Sequence, residues 1–294
     1  MTLVYNKFNR GEVDELLLAR DDVQRVTNSA SRMENFIPSR MGPMIYRPGT
    51  EYVGDIGTAD VHMIPFFSSL DNIALLEFTN LKFRVWDNDS LIRTSSVSSI
   101  ITNGSFAAGL TGWTSDNDTG ATSSGVNGCA KLTGTGTGEA RIYQTITTDT
   151  NAEHTLKVVV KDAPVKLLIG TSGLSSDDIF SGVLNIGTHS LVFTPTSTVT
   201  LTLTNSLEYA SCVDLLEFSG TGELELPTSI ASSQLNSIRF TQSADVVFIA
   251  YDNGPQYRIE RRGVKSWSVV EYRANNGPFG FINNSDITLR SNKL

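Results

Sequence analysis

Three histidines, His62, His154 and His189, are the only imidazoles of the chain. Acid–base catalysis, nucleophile activation or zinc ligation by any of them would need a partner at defined geometry. None has a second His or a Cys at ligand spacing, and His154 and His189 fall in strand-like surroundings, so all three are read as structural. Carboxylate doublets occur at Asp21 and Asp22 and at Asp177 and Asp178. Glycoside hydrolysis needs two carboxylates facing each other across a cleft. Neighbours in sequence point to opposite faces of a strand and diverge by about 100° on a helix, so both doublets are read as solvated turn or helix-end charges. Gly134 to Gly138 is rich in Gly and Thr but lacks the Lys-Ser/Thr that ends a phosphate loop, which leaves a flexible turn. Cys129 and Cys212 have neither CxxC spacing nor nearby histidines, and two buried thiols are expected in preference to a disulfide. No catalytic residue and no cofactor is assigned.

The elements that would position any site divide by composition. The 294 residues exceed the usual size of one domain, and two domains are expected. The net charge is −8, with Lys and Arg scattered along the chain. That pattern disfavours tight phosphate binding, though not a conduit through which DNA slides. No run of about 18 apolar residues is present, and Asn9, Arg10, Glu12 and Asp14 interrupt any signal-like start, so neither a membrane anchor nor secretion is expected. From Glu12 to Arg40, Leu16, Leu17, Val23, Val26, Ala30 and Met33 fall near helical spacing, which predicts a mainly helical segment stopped by Gly42-Pro43 and Arg47-Pro48-Gly49.

From Glu51 the pattern turns to strands: 63–67, 73–78 and 82–86, the last two joined as a hairpin. Near Ile101, Thr, Ser and Gly take over, and short apolar runs at 140–147, 154–160, 165–169, 188–193, 199–204 and 212–218 predict a β-sandwich. Residues 101–222 carry five basic and eleven acidic side chains, against 18 and 20 in the rest of the chain, so most of the acidity belongs to this block. After Gly222 the flanking pattern resumes with runs at 245–250 and 266–270. The predicted fold is mainly β. A discontinuous β-sheet domain (1–100 and 223–294) with a helical N-terminal segment is interrupted by an inserted β-sandwich (101–222), whose ends lie close in space.

Two stretches at opposite ends carry a resemblance. Gln234 to Tyr251, containing Gln242-Ser-Ala-Asp245, and Arg258-Ile-Glu-Arg-Arg-Gly-Val-Lys-Ser-Trp267 onward pair with Phe8 to Arg20, Met33 to Ile37 and Arg47 to Val53. Together they resemble the tail nozzle (tail tubular, or stabilization) proteins of short-tailed bacteriophages. The resemblance implies a structural virion protein of the tail, assembled in the host cytoplasm. It would form a ring, a hexamer by family, that docks on the adaptor and portal and surrounds the DNA exit channel without sequence-specific DNA binding. The flanking β domain is propeller-like in some relatives. Nozzle proteins are generally much longer, so the chain matches their N-terminal portion, as a short form, a fragment or one part of a split assembly. It closes at Asn276 to Phe279 and Ser285 to Leu294 without an obvious final element.

Arg258, Arg261, Arg262 and Lys265 form the one basic cluster. A solvated, charge-blunted hairpin edge or a DNA contact would account for it. Contact with a neighbouring subunit is favoured, because a ring repeats one heterologous interface and needs charge to fix its register. Arg10 and Gly11, with Arg47, Pro48 and Gly49, match the family's N-terminal motifs and are expected to shape turns at that interface.

Asn103-Gly-Ser-Phe106, Gly109 to Trp113 and Val213 to Phe218 resemble the jelly-roll fold of carbohydrate-binding modules and galactose-binding-like domains. That likeness implies a structural calcium at Asp214, with Asn103 as its one other candidate ligand. It also makes Trp113, Tyr143 and Tyr209 candidate stacking platforms for a host glycan, although a core role is the favoured reading for each of them. The sandwich would then project outward, supporting tail-fibre attachment or binding glycan. The rival reading of the whole chain is a carbohydrate-binding or adhesion module of a phage tail or surface protein.

Overall fold

The computed structural model describes residues 7–17, 19–20, 22–56, 60–69, 72–174 and 176–273. The chain divides into two compact units, Met1–Val53 and Gly54–Leu294. Asp21 of the first carboxylate doublet and the two C-terminal stretches after Asn276 lie outside the described residues.

In the first unit the expected helix is corrected. Among the described residues only a 3₁₀ turn at Glu15–Leu17 and one α turn, α1 (Gln24–Thr27), are helical. They are followed by a two-stranded antiparallel ribbon, β1 (Phe36–Pro38) with β2 (Met44–Tyr46). The apolar positions have helical spacing, but no described helical residue is buried. A short helix without a packed face does not persist in water. Backbone bonds hold the segment instead: Phe8 N to Gly42 O at 2.6 Å, Ala30 N to Gly11 O at 2.9 Å and Arg47 N to Asn35 O at 3.0 Å.

The second unit is mainly β, built of antiparallel sheets, none closed into a barrel. It opens with β3 (His62–Ser69), β4 (Asn72–Thr79), β5 (Lys82–Asp87) and the short β6 (Ser90–Leu91) and β7 (Arg93–Thr94). Next come β8 (Thr114–Ser115), β9 (Thr122–Val126), β10 (Cys129–Thr133), β11 (Ala140–Ile146) and β12 (His154–Asp162). They are followed by β13 (Val165–Gly170), β14 (Phe180–Leu184), β15 (Gly187–Phe193), β16 (Val199–Asn205) and β17 (Ser211–Phe218). The chain continues through β18 (Gly222–Glu223), β19 (Leu226–Pro227) and a 3₁₀ turn at Ser232–Ser237 to the meander β20 (Arg239–Ser243), β21 (Val246–Ala250), β22 (Tyr257–Gly263) and β23 (Ser266–Glu271).

Two hydrophobic cores result. One takes its buried residues from Phe106 to Leu216, between the sheet β14-β13-β16-β11-β8 and the strands β15, β12, β17 and β10, a sandwich-like pair of layers. Along β16, Val199, Leu201 and Leu203 enter this core by strict alternation. The other takes Ile64 to Ile92 and Leu224 to Val269, with Trp267 against Phe66 and Phe83 at ring separations of 5.1 and 6.4 Å.

The cores are separate but the backbone is not. β23 pairs with β15 from Gly187↔Val270 to Ser190↔Trp267, so one nine-stranded sheet, β20-β21-β22-β23-β15-β12-β17-β10-β9, runs through both. The chain enters and leaves the 101–222 block side by side, Thr94 opposite Gly222 and Arg93 opposite Glu223.

The cysteines are also corrected: Cys129 and Cys212 form a disulfide across the pairing of β10 with β17, with Cα atoms 5.7 Å apart. Their separation of 83 residues hid a contact that strand pairing makes.

Candidate interface site

The basic cluster lies at the seam where β22 and β23 meet the sandwich. Successive residues of β22 face opposite sides of the sheet, which splits the cluster in two. Arg258 and Arg262 clamp Glu260 between them, at 2.6 and 2.9 Å, and Arg262 Nη2 also donates to the Val183 carbonyl of β14 at 3.2 Å. Lys265 reaches Glu153, just before β12, at 2.7 Å. Arg261 donates to Ser68 Oγ at 3.1 Å and lies 3.7 Å from Asp245. The four cations are therefore engaged inside the chain, three of them with partners on other elements.

Ser68 and Asp245 belong to a second device, which explains the Gln-Ser-Ala-Asp motif. β3 and β20 are edge strands of different sheets, and their free edges need blunting. Gln242 bridges them like a short strand: Oε1 accepts the Phe67 N–H at 3.2 Å, and Nε2 donates to the Phe67 carbonyl at 2.7 Å. Nε2 also donates to Ala244 O at 2.8 Å, and Ser68 Oγ donates to Asp245 at 2.6 Å. Ala244, at φ 49°, makes the tight turn that aims both polar side chains at β3. Pro65, which has no N–H, lies further along the same edge strand.

Nothing in the sequence reading singled out the buried charge network of the second core. Glu77, fully buried, accepts from Arg84 Nη2 at 2.6 Å and Nε at 2.9 Å, and its other oxygen accepts from Trp86 Nε1 at 2.6 Å. Arg84 also binds Glu223 at 2.7 Å and the Ile56 carbonyl at 2.6 Å. Burial opposes the charge on Arg84, but Glu77 and Glu223 outweigh it and raise the guanidinium pKa further. The network ties β4 and β5 to β18 at the exit from the sandwich. A Glu and an Arg in facing hairpin strands, seven residues apart, were the only sequence signal.

In the first unit, Gly11 takes a left-handed φ of 74° that closes the Phe8–Gly11 turn, and Arg10 is exposed. Arg47 Nε donates to Asn35 Oδ1 at 2.8 Å, joining the two ends of the β1–β2 ribbon. Pro48 and Gly49 are exposed, and a Cβ on Gly49 would meet nothing within 4 Å. Leu16 is 88 % exposed, Met41 93 %, Tyr46 80 % and Tyr52 80 %, and none of the unit's described large apolar residues is buried.

The ligand candidates of the sandwich are dispersed. Trp113 is buried against Phe106, ring centroids 5.4 Å apart, and so serves the core. Tyr143 is half-buried on β11, and Tyr209 is exposed in the β16–β17 turn. Asp214 pairs with Lys161 at 2.6 Å, while Asn103 spends its amide on Ala108 N, Gly109 O and Thr111 O at 3.0–3.2 Å. Among the described residues no group of three or more His, Cys, Asp or Glu could hold a metal ion. In the second doublet, Asp178 binds Ser176 and both the N–H and hydroxyl of Thr171, which pull its pKa down to about 2 and fasten the β13–β14 loop.

Ser99 and His154 come closest to a nucleophile–base pair, with Oγ to Nε2 at 2.7 Å. His154 Nδ1 faces the Ala152 carbonyl at 2.9 Å, so Nδ1 carries the proton and Nε2 accepts from Ser99. Ser99 Oγ in turn accepts the Asp149 N–H at 2.9 Å. Its flanking residues Ser98 and Ile100 line a groove of about 490 Å³, whereas Ser99 itself is buried. The pair fastens the segment that enters the sandwich to the start of β12. A smaller cleft of about 260 Å³, bounded by Lys157, Glu217 and the 219–226 segment, contains Ser190, whose buried Oγ has no partner among the described residues.

No protein-family model matches this chain, and no curated protein matches it.

Proposed function

We propose that the chain is a non-enzymatic assembly subunit, and specifically a nozzle-ring subunit of a short-tailed phage tail that docks on an adaptor and surrounds the DNA exit path. The observation that carries this reading is the first unit. Its segment is fixed by backbone bonds but lacks a core, and it presents Leu16, Met41, Tyr46 and Tyr52 to solvent. Exposed apolar side chains on a segment without a core of its own suit a protein–protein interface, and such a segment is stabilised by binding. The partner is a second copy, in a heterologous contact that closes into a ring of six by family resemblance. The acidic balance of the chain suits a channel wall that DNA passes without adhering. The sandwich-like block is read as a jelly roll carried on the outside of this ring. Tyr209, exposed, and Tyr143, half-buried, favour a second reading in which that block binds a host glycan.

The test is the mass in solution of the full chain and of residues 54–294, by mass photometry, alone and with a short-tailed phage adaptor complex. The full chain is expected to form a discrete ring, alone or on the adaptor, and the shortened chain to stay monomeric. A full chain that remains monomeric in both settings and binds a glycan array would overturn the assignment in favour of the adhesion reading.

A further inference from the structure

The seam between β15 and β23 contains a histidine that the assembly reading does not use. His189 is fully buried, opposite Ser268 in the strand register. Nε2 lies 2.8 Å from the Asn185 carbonyl and Nδ1 3.0 Å from Ser268 Oγ. A carbonyl only accepts, so Nε2 carries the proton, and Nδ1 accepts from the Ser268 hydroxyl, itself fully buried. The neutral ring is thus saturated, and a second proton would place a cation inside the seam.

The surroundings penalise that cation. In the next strand Glu260 stands opposite Ser268, flanked by Arg258 and Arg262. Two guanidinium groups against one carboxylate leave this row net positive. On the other side β12 offers Val158 directly opposite His189, and the Val183 carbonyl of β14 is already taken by Arg262. Arg258 Nε is buried without a partner among the described residues, so the row has no spare acceptor among them to offer.

We propose that the His189–Ser268 pair is an acid-sensitive latch, which holds the sandwich to the flanking meander at neutral pH and loosens the seam when His189 takes a second proton. Burial first, and the two arginines after it, push the imidazole down to about 4 in the folded chain, from an ordinary value of 6.5. Opening hydrates the ring and restores its ordinary affinity for protons. The latch therefore contributes fully above about pH 6.5 and loses its contribution as the pH falls toward 4.

The test follows amide exchange of the full chain, corrected for intrinsic rates, between pH 7 and pH 4.5. Protection of residues 187–190 and 266–270 is expected to fall by about one to two orders of magnitude. Protection in β13 and β16, away from the seam, is expected to hold. In His189→Gln, whose amide can donate to Asn185 O and accept from Ser268, the acid-dependent part should vanish. The same loss of protection in wild type and His189→Gln would overturn the latch. The wild-type ring, followed by NMR, decides independently of whether the variant folds: a closed-state ring that stays neutral down to about pH 4 while seam protection falls between pH 6.5 and 4.5 supports the latch, and titration near 6.5, or a seam that stays protected down to pH 4.5, refutes it.

Discussion

Gly187 begins β15 with a φ of 147°, and a Cβ built on it would stand 2.2 Å from the Val269 carbonyl and 2.8 Å from Val270 Cα. Any side chain there meets the backbone of β23, which cannot yield as a flexible side chain does. Gly187→Ala is therefore expected to cost on the order of 2–3 kcal/mol, with a fall of several degrees in Tm, by adding a positive-φ penalty to a broken seam. Gly49→Ala is the control. It has no positive φ and open space around it, and a calorimetric shift beyond about 0.5 kcal/mol there would contradict this account. The sequence placed Gly49 among the interface residues because it stands in a recognisable motif, whereas Gly187 carried no local sign of its role. The constraint on Gly187 comes from Val269 and Val270, on a strand about 80 residues away. The Cys129–Cys212 disulfide and the Glu77–Arg84 pair escaped sequence reading for the same reason: partners are chosen by register, which side-chain type does not encode.

Strands with strong alternation or β-branched runs were legible, among them β3 to β5, β11 to β13, β15 to β17, β21 and β23, because burial on one face imposes a period of two. β9, with the sequence Thr-Ser-Ser-Gly-Val, offers no such pattern, since it is an edge strand that buries little. The helical reading of the first unit failed in the opposite way: the period was present but nothing packs against it. Gln242 shows how a polar motif works at this scale, substituting a side-chain amide for the strand that β3 lacks. Gln242→Ala removes two bonds to Phe67, one a neutral amide bond at 2.7 Å and the other longer at 3.2 Å. Because Phe67 is exposed and water replaces part of what is lost, a destabilisation of about 1 kcal/mol is expected. The Phe67 amide should exchange faster while the β4–β5 amides stay protected. Unchanged exchange at Phe67 would show that the bridge does not hold the edge.

Composition divides the second unit into two blocks, and its two hydrophobic cores follow that division, yet the nine-stranded sheet crosses it. The seam joins four residue pairs of β15 and β23, the Glu271 N to Ile186 O bond at 2.9 Å, the Val192 N to Ser266 Oγ bond at 2.9 Å, and the Lys265–Glu153 and Arg262–Val183 contacts. At about 1 kcal/mol net for each hydrogen bond, the seam supplies several kcal/mol, comparable to the whole stability of a domain. The sandwich is thus a partner in the flank's fold and not an ornament that can be cut away. Joining Thr94 to Gly222 satisfies the chain ends, which already pair, but it strips β23 of its neighbour and exposes a new sheet edge. Such a deletion is expected to aggregate or to lose several kcal/mol, even though the second core keeps all its residues. The corresponding check in the intact protein is thermal unfolding with two probes, Trp113 in the sandwich core and Trp267 in the other, each as the sole tryptophan with the remaining two replaced by Phe. Coincident transitions are expected, because neither core opens without breaking the shared sheet. Two transitions separated by more than a few degrees would mean that the seam is too weak to couple the cores, and the deletion would then be tolerated.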